Sequence, residues 1–207
     1  MKRIAIIARS EFPDGIGEDF AQIFQKLGAE PVKIDGKTDL TNTCEKCDAL
    51  LVPGNPNNIP PRYYGKGPLP NLDYPVDDFA LDKRVINKFY KAEKPILGIC
   101  GGAQSVNVYF GGTMNQKVEN HDLPPERRHD INIKPGSILD KIYKTPILPV
   151  NSLHHQAIKN PPKDFEVISM SPDRVIEAIA KDDILAVQWH PEKMGDQEFF
   201  KYWLNSF

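Results

Sequence analysis

Pro95-Ile96-Leu97-Gly98-Ile99-Cys100-Gly101-Gly102 decides the fold: it reads as a short buried strand that turns sharply into a helix, with a thiol at the turn. The spacing G-x-C-x-G is the cysteine counterpart of the G-x-S-x-G nucleophile elbow. A nucleophile on a strained turn leaves no room for side chains two positions to either side, so Gly98 and Gly102 remove them. The helix predicted over 103–110 points its N-terminus at the sulfur, where its dipole and free N–H groups favour the reactive thiolate. A strand-to-helix turn can also hold an inert buried Cys. Three glycines within 98–102 favour the elbow.

Ile184-Leu185-Ala186-Val187-Gln188-Trp189 reads as a strand, with His190-Pro191-Glu192 at its end and His190 ninety positions after Cys100. A cysteine nucleophile needs an imidazole to take its proton, and the imidazole needs a third group to fix its tautomer. His190 and Glu192, two apart on extended chain, point to the same side. Pro191 biases His190 towards that extended conformation. Alone, such a pair is most simply a loop His and a solvated Glu; joined to the elbow it completes a Cys100–His190–Glu192 triad.

These segments resemble the class I glutamine amidotransferase-like superfamily, and within it the gamma-glutamyl-gamma-aminobutyrate hydrolase-like (peptidase C26-like) branch. The Cys elbow and His190-Pro191-Glu192 carry the superfamily resemblance. Val150-Asn151-Ser152-Leu153-His154-His155-Gln156-Ala157-Ile158 and Pro61-Arg62-Tyr63-Tyr64-Gly65 carry that of the branch. Ala49 to Pro56 and the stretch from Pro95 to Gly112 match as well, so the likeness runs nearly end to end. It implies one class I glutamine amidotransferase-like domain over 1–207, of α/β class: a three-layer, flavodoxin-like, mostly parallel sheet with helices on both faces and appended antiparallel strands. Many members of the branch carry Arg where this chain has Gly101, which bears on substrate preference more than on activity. The segment between Gly112 and Asn151 is shorter than is usual in the branch.

Bulk properties agree with a soluble globular protein. The 207 residues suit one domain with a real core, 40% are hydrophobic and 26% charged, and the net charge of −2 gives no case for nucleic acid or an anionic membrane. No apolar stretch approaches transmembrane length, and the apolar start at 4–8 is too short for a signal sequence. It breaks at Arg9-Ser10-Glu11 and reads as the first buried strand. Three cysteines argue against a disulfide framework and suit a reducing cytoplasm. Cys44 and Cys47 form a lone C-x-x-C without a second ligand pair, and coincidence is the favoured reading.

Strands are predicted at 4–8, 31–34, 49–52 and 95–99, alternating with helices, which implies a parallel sheet covered on both faces. Phe20, Ile23, Phe24 and Leu27 recur at helical spacing before Gly28, and Phe79, Val85, Ile86, Phe89 and Tyr90 mark another helix. The second half turns to β, at 130–134, 147–150, 166–170, 175–180 and 184–188. The Pro-rich stretch 53–75 is expected to be an ordered loop packed by its tyrosines. Cys100, Gly54 and His190 all follow strand ends, where open α/β sheets place their sites.

Acyl transfer needs N–H donors for the oxyanion. Gly101, after the nucleophile, is one natural donor; the resemblance puts the other in the Gly54 loop, with Gly54 and Asn55 both open as donor. Asn55, Gln104, His154 and His155 are the further substrate-binding candidates. Gln104 sits in the first turn after the nucleophile, facing either the pocket or solvent. Adjacent His154 and His155 point in different directions, one at the pocket or a neighbour and the other structural; metal binding would need a third ligand that the sequence does not place. His121 and His129 flank a charged loop and read as surface residues. Asp78 reads as a helix N-cap.

The favoured activity is a stand-alone thiol hydrolase cleaving a gamma-glutamyl amide through a glutamyl thioester, a chemistry that requires no metal or organic cofactor. The expected partner is a small-molecule gamma-glutamyl substrate, with no nucleic acid and no membrane, and a homodimer is compatible with the sequence. The first alternative is a glutaminase subunit delivering ammonia to a separate synthetase; the second is a non-catalytic binding protein of the same fold. Intact Cys100, His190 and Glu192 weigh against the last.

Overall fold

The structure, a computed structural model, describes residues 1–9, 15–74, 76–124 and 126–207. Its sheet has a parallel half, in which β1 (Arg3–Ile7), β2 (Glu30–Ile34), β3 (Ala49–Val52), β4 (Ile96–Ile99) and β11 (Ile184–Val187) lie in the order β2-β1-β3-β4-β11. These strands are near-continuous apolar runs because both faces are covered. Side chains alternate between two cores: Ile4 and Ile6 face one, Ala5 and Ile7 the other, and all four are fully buried.

β11 then pairs antiparallel with β10 (Ile176–Lys181), and the order continues through β9 (Glu166–Met170), β6 (His129–Ile133) and β7 (Ile147–Val150). Short β5 (Thr113–Asn115) pairs with β8 (Ala157–Asn160), which touches β10. One face is covered by α1 (Glu18–Lys26), α5 (Ile138–Tyr143) and α6 (Gln197–Leu204), the other by α2 (Leu40–Lys46), α3 (Phe79–Lys91) and α4 (Gly101–Tyr109). The result is the three-layer α/β architecture expected, with the parallel strands ending on the side that carries Gly54, Cys100 and His190.

Several elements lay below the sequence pattern. α2 carries two threonines and an asparagine, poor helix formers, and is started by Asp39, which accepts from the Thr41 and Asn42 amides. α6 buries Phe199, Phe200, Trp203 and Leu204 against α1, with Phe24 edge-on to Phe200 at 5.7 Å. Cys44 and Cys47 are free thiols packed in the core beside α3, and burial pushes both thiols up, as for inert cysteines. The 53–74 stretch contains a 3-10 turn at Pro61–Tyr64 and packs Tyr63 on Phe79 at 4.7 Å; Pro75, Ser10 and Glu11 lie outside the described residues. Asp78 stands at the N-cap position of α3 but does not cap it: its carboxylate accepts instead from Asn57 Nδ2 at 2.9 Å. Asp77 supplies the bond to the Ala80 amide. Among the described residues, no helix is long and apolar enough to cross a membrane.

Candidate active site

The turn between β4 and α4 is as sharp as its glycines require. Cys100 sits at φ 51°, ψ −111°, a region costly for a residue with a side chain and held only where the surroundings over-determine it. Its amide donates to Val187 O at 2.8 Å and its carbonyl accepts from the Gln104 amide at 3.1 Å, which locks the thiol between two strands and the helix. A Cβ on Gly102 would lie 1.9 Å from Val52 O, and one on Gly98 would lie 2.8 Å from Gly102 O. Both glycines are therefore there for want of space, as the sequence spacing implied.

β11 delivers the second half. His190 and Glu192 are both buried, and His190 Nδ1 donates to Glu192 Oε1 at 2.6 Å, which fixes the tautomer and leaves Nε2 for a second partner. Burial alone would lower the His190 pKa; the neighbouring Cys100 sulfur and the Glu192 carboxylate outweigh it and raise it to about 10. Gln188 Nε2 lies 3.6 Å from the sulfur, and Gln104 Nε2 donates to Gln188 Oε1 at 3.3 Å. Asn151 holds the His190 backbone from the other side, its carboxamide accepting from His190 N at 2.8 Å and donating to His190 O at 2.9 Å.

The Gly54 loop is placed as closely. A Cβ on Gly54 would lie 2.8 Å from His190 Cε1 and 3.7 Å from Cys100 Cβ. Among the described residues the Gly54 and Asn55 amides donate to no protein group, and the Gly101 amide is one of the unpaired donors at the start of α4. The loop is braced from beneath by Arg9, which donates to Pro53 O and Gly54 O, each at 3.2 Å, and forks onto Asp82 at 2.7 and 3.0 Å. Asp82 also accepts from Ser105 Oγ at 2.7 Å, so one buried ion pair ties β1, α3, α4 and the loop together. The sequence reading passed over this pair; an Arg directly after a buried apolar strand was the available signal. At Gly101, a Cβ would meet Asn55 N at 2.7 Å, so the absence of a side chain there lets the Asn55 loop close over the start of α4.

Two small lobes meet at Cys100. One, of 260 Å³, lies between Phe20, Leu153, His190 and Lys193; the other, of 240 Å³, lies between Asn57, Asn58, Gln104 and His155, and Asn55 borders both. Larger clefts lie around Asp182 and Asp183, far from the strand ends that carry the thiol. The four further candidates therefore surround the second lobe, with different fates. Gln104 is buried rather than solvated, and its amide donors serve Gln156 O and Gln188. His155 is hydrogen-bonded to Asn58 Oδ1 at 2.8 Å in the lobe, whereas His154 turns its Nδ1 onto Gln156 O at 3.0 Å. His121 and His129 are not surface residues: His121 is 1% exposed and His129 half-buried, because residues 118–123 fold back on residues 152–155 through paired backbone bonds.

The parallel sheet, the strained cysteine turn and the His–Glu pair on the adjoining strand are those of the class I glutamine amidotransferase-like proteins. The chain belongs to the Peptidase C26 family, whose sequence profile matches residues 11–192. It is 33% identical over 171 residues to the gamma-glutamyl-gamma-aminobutyrate hydrolase PuuD of Escherichia coli, covering 71% of this chain and 65% of the relative. With protein NtpR of Enterococcus hirae it shares 30% identity over 213 residues, 92% of this chain and 88% of the relative. A glutamine amidotransferase of Thermotoga maritima has the same fold, with a TM-score of 0.68 over 99% of this chain and 83% of that one at 15% identity. The chain is thus an enzyme of the hydrolase/amidotransferase type.

Proposed function

We propose that the chain is a stand-alone cysteine hydrolase that cleaves a gamma-glutamyl amide. The observation that carries the reading is the convergence of Cys100, a His190 oriented by Glu192, and the unpaired Gly54, Asn55 and Gly101 amides on one point where two lobes meet. Cys100 Sγ gives its proton to His190 and attacks the side-chain carbonyl carbon. The oxyanion takes the Gly101 amide and a donor of the Gly54 loop. His190 then protonates the leaving nitrogen, the C–N bond breaks, and the amine departs, leaving a glutamyl thioester on Cys100. Water, giving a proton to His190, attacks the thioester; the C–S bond breaks and glutamate and the thiol are restored.

Because His190 must reach the leaving nitrogen, the amine half belongs in the lobe of Phe20, Leu153 and Lys193, and the glutamyl half in the lobe of Asn57, Asn58, Gln104 and His155. Exposed Lys193 at that rim suits an amine that itself carries a carboxylate. The three free thiols suit a reducing cytoplasm.

The test is a panel of gamma-glutamyl conjugates of small amines and amino acids, assayed with the purified chain beside glutamine. Faster cleavage of a conjugate than of glutamine is expected. Inertness towards every conjugate, with ammonia released from glutamine once a cell-extract partner is added, would make the chain an ammonia-delivering subunit instead.

A further inference from the structure

Behind the wall of the site, three imidazoles converge on one buried carboxylate. Glu177, on β10, has no exposed surface, and neither of its carboxylate oxygens has a hydrogen-bond partner among the described residues. His121 Nδ1 stands 3.4 Å from Glu177 Oε1, His129 Nε2 3.8 Å and His154 Nε2 3.8 Å. The donor atoms of His121, His129 and Glu177 all lie within 4.8 Å of one another. A carboxylate so enclosed is costly unless a cation meets it.

The tautomers define what that cation must be. His154 Nδ1 faces the Gln156 carbonyl, which can only accept, so the proton of a neutral ring is on Nδ1 and the lone pair of Nε2 points at Glu177. Two electron-pair donors then oppose each other in a buried space. His121 has its Nε2 on Asp173 Oδ2 at 3.1 Å, which leaves Nδ1, flanked by Ser152 Oγ at 3.3 Å, directed at Glu177. A carboxylate behind one imidazole and a backbone carbonyl behind another are the outer partners that orient metal-ligating histidines.

We propose that His121, His129 and Glu177, with His154 Nε2 facing the same carboxylate, form a site for a zinc-class divalent cation. Bonds of about 2.0–2.1 Å in a tetrahedron set donor atoms about 3.3 Å apart; the nitrogens stand 3.4 to 3.8 Å from Glu177 Oε1, and the donor atoms of His121, His129 and Glu177, all within 4.8 Å of one another, would draw together on the metal. Imidazole nitrogens with one carboxylate oxygen select zinc, cobalt, nickel or copper over magnesium and calcium. The site is structural and independent of the reaction. It cross-links residue 121 to β6 and β10 and, through the bond from His154 N to His121 O at 3.0 Å, holds the segment whose Asn151 clamps His190 and whose Leu153 lines both lobes.

The experiment uses chelator-stripped protein titrated with Zn(II) by calorimetry, with Co(II) as the spectroscopic probe and Mg(II) as control. One equivalent of Zn(II) is expected to bind and raise the melting temperature, Mg(II) to do neither, and Co(II) to show the intense ligand-field absorption of a tetrahedral site without thiolate charge transfer. Glu177→Gln and His129→Ala should lose stoichiometric binding. Asp173→Asn, which removes only the exposed outer carboxylate, should weaken it about 10- to 100-fold. If Glu177→Gln fails to fold, the His129 position, whose side chain keeps 16% exposure, decides. Absence of one-equivalent binding by the wild type, which would leave a proton on His121 as the counter-charge, overturns the proposal. So does unchanged binding in His129→Ala, or a cobalt–thiolate band placing the metal on a cysteine.

Discussion

Asn151 and His190 are joined by both hydrogen bonds that a carboxamide can make to one residue's backbone, His190 N to Asn151 Oδ1 at 2.8 Å and Asn151 Nδ2 to His190 O at 2.9 Å. The ring of His190 is therefore aimed by two restraints of different kinds: Glu192 sets its tautomer and rotation, and Asn151 sets the backbone it hangs from. Asn151→Ala leaves two buried backbone groups unpaired, at about 1–3 kcal/mol each. It is expected to lower kcat by about 100-fold with little change in KM, since the residue touches no substrate lobe. Asn151→Asp, which keeps the acceptor, should retain more activity than Asn151→Ala; equal losses in the two would show that the amide acts by bulk alone.

The Arg9–Asp82 pair is almost without exposure on either side chain. Removing one member of such a pair leaves an uncompensated buried charge, worth about 3–5 kcal/mol. Asp82→Ala and Arg9→Ala are both expected to fall in that range by urea denaturation. Because Arg9 also holds the Pro53 and Gly54 carbonyls, Arg9→Lys should stay folded and lose turnover. Full activity in Arg9→Lys would remove the brace from the account.

At Gly101 the prediction is steric. A methyl group there meets Asn55 N at 2.7 Å, so the Asn55 loop must move. Gly101→Ala is expected to lower kcat/KM about tenfold or more by misplacing the oxyanion donors, with a melting temperature near wild type. Gly102→Ala, 1.9 Å from Val52 O, should fail to fold. A Gly101→Ala protein as active as wild type would mean that the Asn55 loop yields without cost.

How much of this was legible beforehand follows from how local each signal is. The elbow, the His–Glu pair and the parallel strands were readable, because each is an apolar run ended by residues whose chemistry is local. The Asn151 clamp, the Arg9–Asp82 brace and the burial of His121 were not. Each depends on a contact across 39 to 73 positions or on a loop folding back, and the local signal, where there is one, as at the Arg after β1, does not name the partner. α2 and α6 were missed for opposite reasons: the first has the propensities of a loop, and the second is a short terminal stretch whose aromatics gain meaning only against Phe20 and Phe24.

The raised His190 pKa makes stability depend on pH in a fixed direction. Its folded value, about 10, lies above the ordinary 6.5, so the folded state holds the proton more tightly than the unfolded chain. That contribution is fully present below about pH 6.5 and fades as pH rises towards 10. The stability difference between wild type and His190→Ala should therefore be largest at the acid end and shrink across this window in denaturation curves. A difference that grows with pH would contradict the ion-pair environment.

The central claim is that Cys100 carries the glutamyl group, and the most direct measurement is acid-quench mass spectrometry of the protein during turnover of a gamma-glutamyl amide. The account predicts a glutamyl mass increment on the peptide containing Cys100, absent from Cys44 and Cys47, and neither adduct nor product with Cys100→Ala. Turnover by Cys100→Ala, or an adduct on another residue, would contradict it.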